Sequence, residues 1–252
     1  MKRSCIMMLG ILAIGLSKGT AQTKIDTVSN FKVQVPVQKR LYMGNGLDFA
    51  MLSTSITSRP GKSTYLTTPR FTAVVNFGFS VHYDLNEHFG LLTGIGLRNM
   101  GFIDKYGDST IKRRVYSLGI PLGIKLGDLR NRNFLIAGGG LDIPFNYREK
   151  GFVHRGDKAK FSEWFSERTP HVMPFVFAGY SFNPGFTLKL QYYPGNFLNQ
   201  DFKDDLGGKP YAGYDVHLLL LSLGIDIHYN QFRIQEREYR ELKKEREQQK
   251  VL

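Results

Sequence analysis

From Phe71 to Leu85 the chain reads FTAVVNFGFSVHYDL, and its hydrophobicity alternates residue by residue. Phe71, Ala73, Val75, Phe77, Phe79, Val81 and Tyr83 fall on one face; Thr72, Val74, Asn76, Gly78, Ser80, His82 and Asp84 fall on the other. A period of two marks a β-strand with two chemically different faces. The pattern recurs. In LYMGNGLDFAML, Leu41, Met43, Leu47, Phe49 and Met51 oppose Tyr42, Gly44, Gly46, Asp48 and Ala50. In FGLLTGIGLRNMGF, Phe89, Leu91, Thr93, Ile95 and Leu97 oppose Gly90, Leu92, Gly94, Gly96 and Arg98. RVYSLGIPLGIKL sets Tyr116 through Leu126 against Ser117, Gly119, Pro121, Gly123 and Lys125. FLIAGGGLDIPFNY sets Leu135, Leu141, Ile143, Phe145 and Tyr147 against Gly138, Gly140, Asp142 and Asn146. HVMPFVFAGYSF is apolar on both faces, so the pattern gives it no orientation. FTLKLQYY and VHLLLLSLGIDIHY complete the series, with Lys189, Ser222, Gly224, Asp226 and His228 on their less apolar sides.

Eight strands are therefore expected, joined by links that alternate in length. Long links are predicted at 53–69, 102–112, 148–170 and 196–212, and tight turns at 84–88, 127–133 and 183–185. An even number of strands with alternating short turns and long loops predicts an antiparallel up-and-down barrel.

Alternation alone fits two barrels. A lipocalin-like barrel encloses its apolar face; a membrane barrel presents that face to lipid. Residue size separates them. The less apolar face is mostly Gly, Ser and Ala with isolated charges, whereas a water-facing surface is about a quarter or more charged. An eight-stranded barrel has room inside for little more than its side chains, which suits glycine beside a few long polar residues. The expected interior charges are Asp48, Arg98, Lys125, Asp142, Lys189 and Asp226, three of each sign. Charges withdrawn from water need partners, so this balance predicts a structural polar network in a filled lumen. Aromatic residues near the strand ends (Tyr83, Phe89, Phe186 and Tyr229 at one end, Tyr116, Phe145, Tyr147 and Tyr192 at the other) resemble the two interfacial girdles of such barrels.

Composition agrees with an all-β chain: 13% aromatic residues and 27 glycines favour strands and close packing. Residues 1–21 are read as a signal peptide. Lys2 and Arg3 precede the apolar core CIMMLGILAIGL, and Gly19 and Ala21 occupy the small-residue positions before a cleavage site after Ala21. Cleavage would remove Cys5, the single cysteine, and so any disulfide. Residues 22–40 are read as a polar N-terminal arm, 41–229 as the barrel, and 230–252 as a charged, helix-forming tail. No later segment is apolar for long enough to cross a bilayer as a helix.

With that framework in place, YDLNEHFGLLTGIGL, YSLGIPLGIKLG, IAGGGLDIPF and LKLQYYPGNF together resemble the outer-membrane β-barrel domain family of Bacteroidota-type bacteria, the PorT-like group, over about residues 41–229. SLGIDIHY resembles the terminal strand signal of outer-membrane proteins, although 23 residues follow Tyr229. The resemblance implies a Gram-negative outer-membrane location and, for some members, a part in secretion or motility machinery.

Other chemistry is weakly marked. The tail QFRIQEREYRELKKEREQQKVL could dock an envelope or secretion-machinery protein, or be a solvated helix. The 148–171 segment holds His154, Asp157, Ser162, Glu163 and His171, residue types a rim enzyme could use, but in no spacing that enforces a triad. Six scattered histidines predict no metal site, and AGGGLD reads as strand rather than phosphate loop, so no cofactor is expected. The net charge of +12 suits lipopolysaccharide phosphates as partners better than nucleic acid. The sequence thus points to a non-enzymatic outer-membrane scaffold, adhesin or secretion-accessory protein, with a rim enzyme or a soluble lipocalin-like barrel as alternatives.

Overall fold

The computed structural model describes residues 41–106, 109–153 and 157–228. The predicted signal peptide, the N-terminal arm, the C-terminal tail, Tyr229 and His154 lie outside the described residues. Ten strands are present: β1 (Leu41–Arg59), β2 (Lys62–Leu66), β3 (Arg70–Asp84), β4 (Phe89–Tyr106), β5 (Ser109–Asp128), β6 (Asn133–Val153), β7 (Asp157–Trp164), β8 (Met173–Phe182), β9 (Phe186–Tyr192) and β10 (Asp215–His228). Eight of them form an antiparallel up-and-down ring in the order β1, β3, β4, β5, β6, β8, β9, β10. The ring is closed by pairing of β10 with β1, for example Leu221 opposite Leu52. Closure leaves the eight-stranded ring itself without a free edge strand. β2 and β7 lie outside the ring order, folded back as hairpin partners on the ends of β1 and β6. No described helix is long and apolar enough to cross a membrane.

The strands run further than the hydrophobic pattern marks. Links 53–69, 102–112 and 148–170, expected as loops, are largely strand. The ladder between β5 and β6 continues through Arg113 opposite Glu149, Lys112 opposite Lys150 and Thr110 opposite Phe152. Backbone pairing needs no apolar face, so the loss of alternation ends only the two-faced part of a strand. Link 196–212 contains no strand but packs inward.

The faces divide cleanly. Phe77, Ile95 and Leu122 point outward and are 57%, 53% and 66% exposed, while Lys125 and Asp142 point inward and are fully buried. β8, which the pattern left unoriented, turns Met173, Phe175 and Phe177 inward and Pro174, Val176 and Tyr180 outward. Four residues reverse their expected side: Ala50 and Asn146, expected inside, take outward register positions, and Met51 and Tyr147, expected outside, turn in. Met51 is buried rather than outward, because a bulge at Asp48/Ala50 places Phe49 as an extra residue against β10. Tyr147, expected in the outer aromatic girdle, is buried opposite Val115, because Phe145 is an extra residue against β5. One inserted residue flips every later side chain to the other face.

The interior has two layers. Toward the tight turns it is mainly polar and glycine-lined, with Leu129, Phe134 and Ile136 buried among the polar groups. Toward the long hairpins it is an apolar core that includes Met100, Phe102, Met173, Phe175, Val216 and Leu218. Residues 193–214, between β9 and β10, fill this mouth with Tyr193, Phe197, Leu198 and Tyr211. Phe197 meets Phe102 edge-on at 5.4 Å, and Tyr193 lies 5.7 Å from Phe175. Asn196 pins the segment: its Oδ1 accepts from the amides of Leu198 (3.1 Å) and Val216 (3.0 Å), and its Nδ2 donates to the Tyr214 carbonyl (2.6 Å).

Candidate functional site

Two surfaces carry the chemistry of this fold: the outward belt and the charged interior. The belt is built by alternation. β5 shows Ile120, Leu122, Ile124 and Leu126 to the outside; β6 shows Leu135, Leu141 and Ile143; β3 shows Phe71, Phe77, Phe79 and Tyr83. From Leu118 to Leu126 on β5 and from Leu135 to Ile143 on β6 no outward position holds an acidic or basic residue. Each such stretch is close to the roughly 9–11 residues a tilted strand needs to cross a hydrocarbon core.

All six residues predicted for the interior polar network lie inside the ring and are engaged. Arg98 Nη1 donates to both oxygens of Asp142 at 3.0 and 3.3 Å. Tyr193 Oη donates to the same carboxylate and accepts from Gln191 Nε2 at 2.5 Å. The Arg98 guanidinium carbon also sits 4.3 Å from the centre of the Phe175 ring. Lys189 Nζ lies 3.3 Å from Asp48 Oδ2, which also receives Asn76 Nδ2 at 3.4 Å. These two pairs are formed within the predicted six. The other two members find partners outside that set. Lys125 pairs with Asp84 and donates to Tyr42 Oη at 2.8 Å. Asp226 lies 3.0 Å from His82 Nε2 and accepts from Ser80 Oγ at 3.2 Å. Tyr42 stacks on His82 with centroids 4.9 Å apart.

Asp84 is the member of the network that the sequence marks least, because it closes β3 and begins a tight turn. The available signal was parity: it shares a face with Asn76 and His82.

Glycine makes room for these pairs. A Cβ on Gly90 would lie 2.5 Å from Asp84 Oδ1 and 2.7 Å from Lys125 Cε. A Cβ on Gly224 would lie 2.5 Å from Asp48 Oδ1. A cavity of about 170 Å³ remains, bordered on its inner side by Asp48, Asn76, Arg98, Phe177 and Lys189.

At the mouth a second polar set ties strands to the capping segment. Arg113 Nε donates to Glu149 Oε2 at 3.2 Å, and Tyr147 Oη donates to the same oxygen at 2.7 Å. Arg168 donates to Tyr211 Oη at 3.0 Å and lies over the rings of Phe161 and Phe202 at 4.6 and 4.5 Å. On the β1–β2 hairpin, burial and a hydrogen bond to Asp104 push the Tyr65 hydroxyl up to about 12. Of the candidate rim residues, His171 is exposed, Glu163 is taken up by Ser166 Oγ at 2.5 Å and Arg168 at 3.7 Å, and Ser162 lies 3.5 Å from Asn146 Nδ2. Among the described residues no group of acidic, histidine and cysteine side chains could hold a metal ion.

No family model matches the chain, and no curated protein matches it. Solved structures do. The attachment invasion locus protein Ail of Yersinia pestis, solved with the heparin analogue sucrose octasulfate, is 15% identical over 75% of this chain and 97% of its own, with a TM-score of 0.37. Neisserial surface protein A is 14% identical over 74% and 96%, with a TM-score of 0.39. The outer membrane protein OprG of Pseudomonas aeruginosa is 14% identical over 75% and 95%, with a TM-score of 0.31. At such scores the superpositions are loose and add nothing to the strand order and register above.

Proposed function

We propose that this chain is an integral outer-membrane β-barrel protein of a Gram-negative envelope, exported by a signal peptide cleaved near Ala21. The observation that carries the reading is the pairing of an outward apolar belt with an inward closed set of charges. Leaving a Phe or Leu side chain in water forgoes about 1.5–3 kcal/mol of transfer free energy. Repeated around eight strands, that loss would exceed the ~5–15 kcal/mol by which a folded domain is stable. Hydrocarbon on the outside removes the conflict, and a closed ring is one of the two backbone arrangements that lipid tolerates. The tight turns would then face the periplasm and the β1–β2, β4–β5 and β6–β7 hairpins the exterior.

The role we assign is non-enzymatic: a scaffold, adhesin or secretion-accessory protein of PorT-like type. It would act through its hairpins, and residues 231–252 would meet an envelope or secretion-machinery protein. The plugged mouth and the internally satisfied ion pairs support a structural interior rather than a wide pore. A soluble lipocalin-like barrel would enclose Phe77, Ile95 and Leu122, and their exposure weighs against it.

Envelope fractionation tests the proposal. The full chain should sediment with outer membranes, resist extraction by carbonate, and migrate faster on a gel before boiling than after. Recovery in the aqueous fraction would overturn it. Crosslinking in the native envelope, with and without residues 231–252, tests the scaffold role. A barrel whose His154→Ala and His171→Ala variants insert normally but lose a turnover would instead be a rim enzyme.

A further inference from the structure

Above the apolar belt, β5, β6 and β7 form one outward face with an ordered charge pattern. Below the Thr110, Phe152 and Lys158 register row, its first described basic row is Lys112 opposite Lys150 opposite Lys160. The next row is Arg114 opposite Arg148 opposite Ser162, and the third is Tyr116 opposite Asn146 opposite Trp164. Below these come the outward aliphatic residues Ile120 and Leu122 of β5 and Leu141 and Ile143 of β6. Nine register positions therefore hold five cations and no carboxylate, and they grade downward from basic through aromatic to aliphatic. Glu149 and Glu163, on the same strands, fall on the other face.

The Phe145 bulge creates this face. Below it the even-numbered Asp142 points inward; above it Tyr147 and Glu149 take the inward side, and Arg148 and Lys150 are turned out. The two arginines are also positioned. The guanidinium carbons of Arg148 and Arg114 lie 5.2 and 6.0 Å from the Tyr116 ring centre. Arg148 Nε donates to Asn146 Oδ1 at 3.0 Å, which fixes its plane. Trp164 stacks on Phe145 at 5.9 Å at the level where an outer interface would lie.

Strands spaced about 4.8 Å apart place three lysines across roughly 10 Å. An anion with two phosphates and an apolar body matches this surface row by row. Its phosphates would meet the lysines and the planar arginine forks, and its acyl chains would lie along the aliphatic rows. We infer that this face binds the phosphate groups of an anionic glycolipid in the surrounding leaflet. The inference rests on the membrane reading and goes beyond it by naming the site and the ligand chemistry.

The test uses the full chain refolded in detergent micelles, with folding gated by heat-modifiable migration. Bis-phosphorylated lipid A and dephosphorylated lipid A are titrated, and binding is followed through Trp164 fluorescence. Wild type should favour the phosphorylated lipid by about tenfold or more at low salt, since each cation near an anionic surface adds appreciably to binding. Combining Lys112→Gln, Arg114→Gln, Arg148→Gln and Lys160→Gln should abolish that preference. The milder Arg114→Lys, Arg148→Lys pair should fold normally and lose part of it. Lys62→Gln with Lys203→Gln, two cations away from this face, should leave it intact. Equal binding of the two lipids by wild type, full binding by the quadruple variant, or an equal loss in the control would overturn the inference while leaving the membrane reading standing. Failure of the wild type to enter any micelle or bilayer would overturn both.

Discussion

Gly119 on β5 stands directly opposite Asp142 on β6, and the Cβ it lacks would fall against the Asp142 carboxylate and 2.8 Å from the Arg98 guanidinium carbon. Neither neighbour can withdraw, because both are held by the ion pair they form. Gly119→Ala should therefore destabilise the barrel by about 1–3 kcal/mol, the usual cost of overpacking a tight interior. Gly119→Val should cost more. Urea unfolding in micelles measures both; an unchanged midpoint for Gly119→Val would contradict this picture.

The Arg98–Asp142 pair is buried and shared with Tyr193. Asp142→Leu alone strands a guanidinium inside the ring and should cost about 3–5 kcal/mol, as breaking buried pairs does. Arg98→Met with Asp142→Leu removes both charges and should recover a large part of that loss. A double-mutant cycle in the same unfolding assay separates the two; additive single effects would argue that the charges are not coupled.

Asp128, the last residue of β5 at the start of a tight turn, accepts from the Asn131 amide at 3.0 Å and the Asn131 side chain at 2.6 Å. Those bonds, the backbone one first, hold its carboxyl below the usual range. A depressed carboxylate stabilises the fold above its unfolded pKa, ~3.9, and loses that contribution as pH falls through the lower folded value. The stability gap between wild type and Asp128→Ala should therefore narrow between about pH 5 and pH 2. A gap that is constant over that range would remove Asp128 from the account of the turn.

Asn196 supplies three hydrogen bonds to the capping segment. Asn196→Ala should speed amide exchange at Leu198 and Val216 by tenfold or more, given about 1 kcal/mol for each hydrogen bond lost. The β10 amide of Leu221, inside the ring, should be unaffected. Hydrogen exchange by mass spectrometry reads both regions in one experiment, and equal protection at Leu198 would mean the cap is held elsewhere.

The ring was legible because the apolar and small residues alternate so regularly. Parity puts Phe77, Ile95 and Leu122 on one face and Asp142 and Lys125 on the other, and the small size of the residues on the second face marks it as the inside. Two features were hidden by the same logic. At Phe49 and Phe145 one extra residue enters the strand, and nothing in the local composition marks a bulge; Met51 and Tyr147 therefore came out on the wrong side. Beyond the belt the pattern fades while the backbone ladder continues, so hairpins such as Lys112 opposite Lys150 looked like loops. The cap carries no such pattern for another reason. Tyr193, Phe197, Leu198 and Tyr211 have no periodicity, and only the closed ring creates the mouth that they fill.

The outward belt is the claim on which the rest depends, and the single tryptophan makes it measurable. In a Trp164→Phe background, Phe77→Trp, Ile95→Trp and Leu122→Trp each place one fluorophore on the belt. In bilayers whose acyl chains carry bromine, all three should be strongly quenched, while aqueous iodide should leave them bright. Quenching by iodide with no response to bromine would show these positions facing water, and the membrane barrel would be refuted.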